Sequence, residues 1–83
     1  MASGKIVKNV VEYIVKEIVE DTKSVKVDVA DSDDENITIE VRTSPDDMGR
    51  VIGKRGRVAR AIRTVAQAAA DEEGLNSSVE FID

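Results

Sequence analysis

The sequence predicts an α+β domain of order αββααβ, with a mixed three-stranded sheet and three helices packed on one of its faces. Three observations predict it. Residues 5–20 repeat apolar side chains at helical spacing. Residues 24–30 and 37–43 alternate polar and apolar side chains on either side of a polar turn. A last alternating run at 78–82 follows two further helical stretches. With 83 residues the chain has room for one domain, spanning 1–83, in which most elements share one core.

In the first helix, apolar residues fall at 6, 10, 14 and 18 and at 7, 11, 15 and 19, two adjacent i, i+4 rows. Valine and isoleucine are modest helix formers, so the stretch from Val10 to Val15 could also pass for a strand. Charges at 5, 8, 12, 16 and 20 recur every three or four residues and decide for helix. The apolar arc from Tyr13 round to Val19 is nominally wider than half the circumference, with Lys8 and Glu17 toward its edges. Val15 and Val19 are then either ordinary boundary residues or part of a surface for a partner.

The first strand carries Val25, Val27 and Val29 on one face, and the second carries Ile37, Ile39 and Val41. The polar stretch 31–36 between them makes a hairpin. That stretch resembles a calcium loop only in its acids. Its sixth position is Asn36 instead of glycine and its twelfth is Arg42 instead of glutamate, so it reads as a solvated turn.

Ser44-Pro45-Asp46-Asp47 is a helix start, with Ser44 as cap, Pro45 in the first position and two acids in the positive first turn. Gly53 limits that helix to about two turns. The next helix begins after Gly56. It places apolar residues 58, 62, 65, 66 and 69 on one side and Arg57, Arg60, Arg63 and Gln67 on the other, and Gly74 ends it. Val79 and Phe81 face inward from the last strand. A two-helix crossover joins parallel neighbours, whereas the hairpin is antiparallel. Lys26, Asp28, Thr38, Glu40 and Arg42 are left on the water-facing side of the sheet.

Composition excludes several classes of activity. Without cysteine there is no disulfide framework, and without histidine or cysteine there are no usual zinc sites and no imidazole base. Carboxylates lie scattered over turns and helix ends, so no base–nucleophile constellation is visible and neither enzyme activity nor a cofactor is expected. No uninterrupted apolar run is long enough to span a bilayer, so no membrane insertion is expected. Charges at 8, 12, 16 and 17 spoil a signal-peptide core, and Ala2 removes the myristoylation pattern. Cytoplasmic residence is the expectation.

The overall charge is −5, which alone argues against a nucleic-acid partner. Its distribution reverses the argument. Arg50, Lys54, Arg55, Arg57, Arg60 and Arg63 put +6 into the segment 50–63, which holds no acid. The rest of the chain carries the other half of the 12 Lys and Arg against all 17 Asp and Glu, a net of −11. A solvated helix face normally intersperses signs, as the first helix does.

Within this basic segment Gly53 and Gly56 flank Lys54 and Arg55. Glycines at both ends allow positive φ and a close approach to a phosphate backbone. The amides of Gly56, Arg57 and Val58 begin a helix, where free N–H groups and the dipole attract anions. A Walker loop is excluded, since Gly49 and Gly53 enclose three residues instead of four and Arg55 follows Lys54. The G-x-x-G alone would be weak. The frame V-I-G-x-x-G-x-V-x-x-x-I at 51–62, set between two helices and carrying that charge, is strong.

On these residues the chain resembles the KH domain in its αββααβ, type II arrangement, from about Gly4 to Asp83. It is most similar to the small single-domain bacterial KH proteins of the KhpA type, whose motif segment is close to residues 44–63 here. The resemblance implies binding of single-stranded RNA, about four nucleotides held with the G-x-x-G loop on the backbone. It implies a role as an RNA chaperone or post-transcriptional regulator, and a homodimer or a heterodimer with a larger KH-containing protein. Carried to this chain, Gly53, Lys54, Arg55 and Gly56 would clamp phosphates. Val51, Ile52 and Val58, with Val41, would line the groove under the bases, although Ile52 and Val58 fit the core equally well. Arg42, Arg50, Arg57 and Arg60 would add contacts. Tyr13 and Phe81, the only aromatics, lie outside the motif, so stacking on aromatic platforms is not expected. The alternative is a protein-interaction subunit with RNA contact secondary, working through the apolar arc of helix 5–20 or the small face Ala66, Ala69 and Ala70.

Overall fold

The computed structural model of the chain describes residues 4–82. Helix α1 spans Lys5–Ile18, strands β1 and β2 span Lys26–Ser32 and Asn36–Arg42, helices α2 and α3 span Pro45–Ile52 and Arg57–Glu72, and strand β3 spans Asn76–Ile82. One-turn 3₁₀ segments lie at Thr22–Ser24 and Lys54–Gly56. The predicted order αββααβ is the observed one. The strands run β1-β2-β3 across the sheet. β1 pairs antiparallel with β2, Val27 opposite Val41, and β2 pairs parallel with β3, Ile39 opposite Val79.

Alternation puts Ile37, Ile39 and Val41 of the central strand under the helices, where all three are buried. Val7, Val11 and Val15 of α1 meet Ile62, Ala66 and Ala70 of α3 above them. The Gly4 amide donates to the Glu73 carboxylate at 3.3 Å, so the start of α1 lies beside the end of α3. Helix α3 then ends as expected. Gly74 takes φ 71°, its amide reaches the Asp71 carbonyl at 3.1 Å, and the Leu75 amide reaches the Ala70 carbonyl at 2.9 Å.

Several expectations change. Val15 and Val19 are core residues, neither boundary nor partner surface. One small sheet covers only part of the wide apolar arc, so Ile6 (51% exposed) and Tyr13 (67%) are left outside. Val29 is 37% exposed, because β1 is an edge strand whose pairing slips by a bulge between Val29 and Asp31. Both hairpin strands keep the expected length but sit closer to the turn, β1 starting at Lys26 instead of Ser24 and β2 ending at Arg42 instead of Thr43, and residues 33–35 alone make the turn. Asp33 Oδ1 accepts the amides of Glu35 and Asn36, each at 2.8 Å, and these bonds hold its carboxyl below the ordinary value.

Helix α3 is rotated from the expected face. Ala59, Ile62, Ala66 and Ala70 are buried, and Val65 is 43% exposed. Gln67 turns toward β3 instead of toward water. Its Oε1 accepts the Ser77 amide at 2.9 Å, and its Nε2 donates to the Leu75 carbonyl at 3.2 Å. The small alanines admit close packing, and the amide satisfies backbone groups at the start of the strand. Ala66 and Ala70 are thereby consumed inside the domain and are not available to a second chain.

Candidate functional site

The basic segment sits where α2 gives way to α3. Ser44 opens α2 differently from expectation. Its carbonyl accepts the amides of Asp47 and Met48, at 3.0 and 3.2 Å, while its hydroxyl donates to Asp47 Oδ2 at 3.0 Å. Asp47 is only 2% exposed. Oδ1 accepts the Glu20 amide at 3.1 Å and Oδ2 accepts the Asp21 amide at 3.0 Å. The acid expected to serve the helix dipole is therefore a staple between the segment after α1 and the start of α2. Nothing in the sequence distinguishes it from Asp46. The Asp21 and Glu20 amides hold its carboxyl below the ordinary value, against the opposing effect of burial, and Ser44 and Arg50 add to the lowering.

Arg50, expected to contact ligand, is engaged elsewhere. It donates from Nη2 to Glu20 Oε1 at 2.6 Å and from Nε toward Asp47 Oδ1 at 3.3 Å. Arg42 also lies away from the loop. Alternation sends it to the sheet face opposite the helices, where it pairs with Glu40 at 3.4 Å. Val51 and Val41 are fully buried and line no groove. Ile52 and Val58 are half-buried on either side of the loop, between core and surface.

The loop itself is one tight turn. Gly53 closes α2 through its amide to the Gly49 carbonyl at 2.9 Å and takes φ 76°, ψ 170°. Arg55 adopts φ 59°, ψ 24° and Gly56 φ 72°, ψ 17°, two left-handed residues in succession. Glycine suits that region, whereas arginine rarely enters it. The Gly56 amide is used by the Gly53 carbonyl at 3.1 Å, and the Arg57 amide by the Lys54 carbonyl. Two of the three amides expected to face an anion are therefore spent in the turn, and the attraction falls to the side chains and the start of α3. Lys54, Arg55, Arg57 and Arg60 are exposed, and none of them makes an ion pair among the described residues.

Arg63 ends the series on the flank of α3 that faces β3. Its Nε donates to the Val79 carbonyl at 3.2 Å, and its Cζ lies 5.2 Å from the centre of the Phe81 ring. Phe81, near the C-terminal end of the sequence, is thus brought to the basic segment by the parallel pairing of β3 with β2.

The chain with this helix–turn–helix over a three-stranded sheet matches the family described as KhpA/KhpB, KH domain, over residues 8–81. The chain belongs to that family. It is 47% identical over 75 residues to the RNA-binding protein KhpA of Clostridium perfringens, covering 90% of this chain and 99% of that one. It is 42% identical over 79 residues to the RNA-binding protein KhpA of Caldanaerobacter subterraneus subsp. tengcongensis, covering 95% and 99%. Against the protein of that name from Aquifex aeolicus it is 36% identical over 76 residues, covering 92% and 95%. No solved structure matches it.

Proposed function

We infer that this KH domain binds single-stranded RNA through the loop Gly53–Gly56, without catalysis, as a cytoplasmic RNA chaperone or post-transcriptional regulator. The observation that carries the reading is a set of exposed cations with no acid partner among the described residues. These are Lys54, Arg55, Arg57 and Arg60, on a chain whose acids outnumber its bases. A folded protein that could neutralise these charges internally does so for Arg50 and leaves these four to solvent. The name of the relatives, RNA-binding protein KhpA, supports RNA as the ligand.

In this reading Lys54 and Arg55 grip consecutive phosphates from the tip of the turn. Gly53 and Gly56 let the backbone come close, and Arg57 and Arg60 continue the contact along the first turns of α3. Ile52 and Val58 offer apolar contact to the bases. One domain contacting about three or four phosphates binds weakly, micromolar or poorer, so useful affinity calls for a second domain. The exposed side chains Ile6, Tyr13 and Val65 support a further contact with a second KH domain, in a homodimer or with a larger KH-containing protein.

Replacing Lys54 and Arg55 together with aspartate tests the site. Both side chains are exposed, so circular dichroism should be unchanged while affinity for a short oligoribonucleotide is lost. Unchanged affinity in a folded variant would overturn the assignment.

A further inference from the structure

Arg57, Arg60 and Arg63 follow one another at intervals of three on α3, which winds a cationic strip from the loop toward β3. Arg63 stands about 10 Å along the helix axis from Gly56. Its guanidinium is held at two points, by the bond from Nε to the Val79 carbonyl and by its place over the Phe81 ring. Phe81 is half-buried against the core, so the ring is a firm support. Arg63 itself remains exposed, and its terminal nitrogens meet no acid among the described residues.

A guanidinium is planar and weakly hydrated, and it stacks on flat π-systems. Where one side rests on an aromatic ring and the other faces water, the open side is a preorganised platform. We propose that Arg63, backed by Phe81, is a stacking subsite for one nucleobase of an RNA strand whose backbone lies on the Gly53–Gly56 loop. It rests on the RNA-binding reading above and adds a place where a base, instead of a phosphate, is recognised. The reach suits a strand that leaves the loop along the Arg57–Arg60 flank. The subsite favours unpaired bases, since a base in a duplex has both faces covered. It selects poorly among the four bases, because each presents a π-face.

Two conservative variants test it. Arg63→Lys keeps the charge and loses the plane; Phe81→Leu keeps apolar bulk and loses the ring. Affinity is read by fluorescence anisotropy on two probes, a short single-stranded oligoribonucleotide and an abasic ribose-phosphate strand of the same length. Each variant should weaken binding of the base-bearing strand about fivefold or more and leave the abasic strand within error of wild type. Wild-type affinity of both variants for the base-bearing strand would overturn the platform, as would an equal loss on both probes. The RNA-binding reading is checked alongside by Lys54→Asp/Arg55→Asp. If that variant loses both probes while Arg63→Lys and Phe81→Leu lose neither, the reading stands and the platform falls. If wild type binds neither probe, both fall.

Discussion

Alanine at Gly53 should destabilise the domain several times more than alanine at Gly56, although the two glycines flank the same turn. At Gly53 the backbone sits at φ 76°, ψ 170°, a region held almost only by glycine, where any side chain costs of order 1–3 kcal/mol. A Cβ there would also overlap Val58 Cγ2 and lie 2.8 Å from Val58 Cβ and 2.9 Å from the Val58 backbone nitrogen. The last two belong to the first turn of α3 and cannot swing aside, so α3 must shift, at a further cost of about 1–3 kcal/mol. At Gly56 the backbone is left-handed, φ 72°, ψ 17°, and a Cβ meets nothing within 4 Å. Alanine there costs about 1 kcal/mol, from conformation alone. With a urea slope of about 1–2 kcal/mol per molar for a domain of this size, Gly56→Ala should lower the unfolding midpoint by roughly 0.5–1 M, and Gly53→Ala by about three times as much. Urea denaturation followed by far-ultraviolet circular dichroism reads both. Equal midpoints, or a larger loss at Gly56, would refute the argument that Gly53 is required by close packing against Val58.

Arg55→Gly should move stability and binding in opposite directions. Relief of the left-handed arginine raises stability by about 0.5–1 kcal/mol in the same urea assay, while loss of the charge weakens RNA binding. Asp47→Ala should destabilise the fold far more than Asp46→Ala, since Asp47 alone accepts the Glu20 and Asp21 amides. Because the folded carboxyls of Asp47 and Asp33 titrate below the ordinary value of 3.8, their contribution is complete above it and is lost as pH falls below it. Asp47→Asn should therefore flatten the acid limb of a stability–pH curve between about pH 5 and 2. RNA affinity should fall with salt at a log–log slope of roughly −2 to −3. Lys54→Ala should make that slope shallower by about 0.7, and Arg50→Ala, whose charge is already matched by Glu20, should leave it nearly unchanged.

The parts of the site that depend on neighbours in sequence are legible without the fold. Two glycines around two cations, a proline-started helix before them and an unbroken basic helix face after them place the loop and its exposure with no tertiary information. The parts that the sequence hides depend on contacts across the chain. Arg50 looks like its basic neighbours because Glu20, which neutralises it, lies 30 residues away. Asp47 looks like Asp46 because the amides it caps lie 26 and 27 residues away. Arg55 is hidden for a different reason. Its left-handed backbone is imposed by closing the turn in so few residues, and the residue type argues against it.

Periodicity by itself determined the element order, the antiparallel hairpin, the parallel return of the last strand and the concentration of positive charge at one turn. These follow from chain-local geometry: 3.6 residues per helical turn, 2 per strand repeat, and the handedness of crossovers. Tertiary structure alone decided which residues of each apolar arc go inside. A sheet three strands wide covers one row of α1 and leaves Ile6 and Tyr13 out. It also turned α3 so that Gln67, not Val65, meets the strand, since an amide that bonds Ser77 and Leu75 satisfies backbone groups that a valine would leave unpaired. The pairing of Arg63 with Phe81 has the same origin. β3 pairs with β2 beside α3, and that arrangement sets an aromatic ring beneath the last arginine of the basic strip.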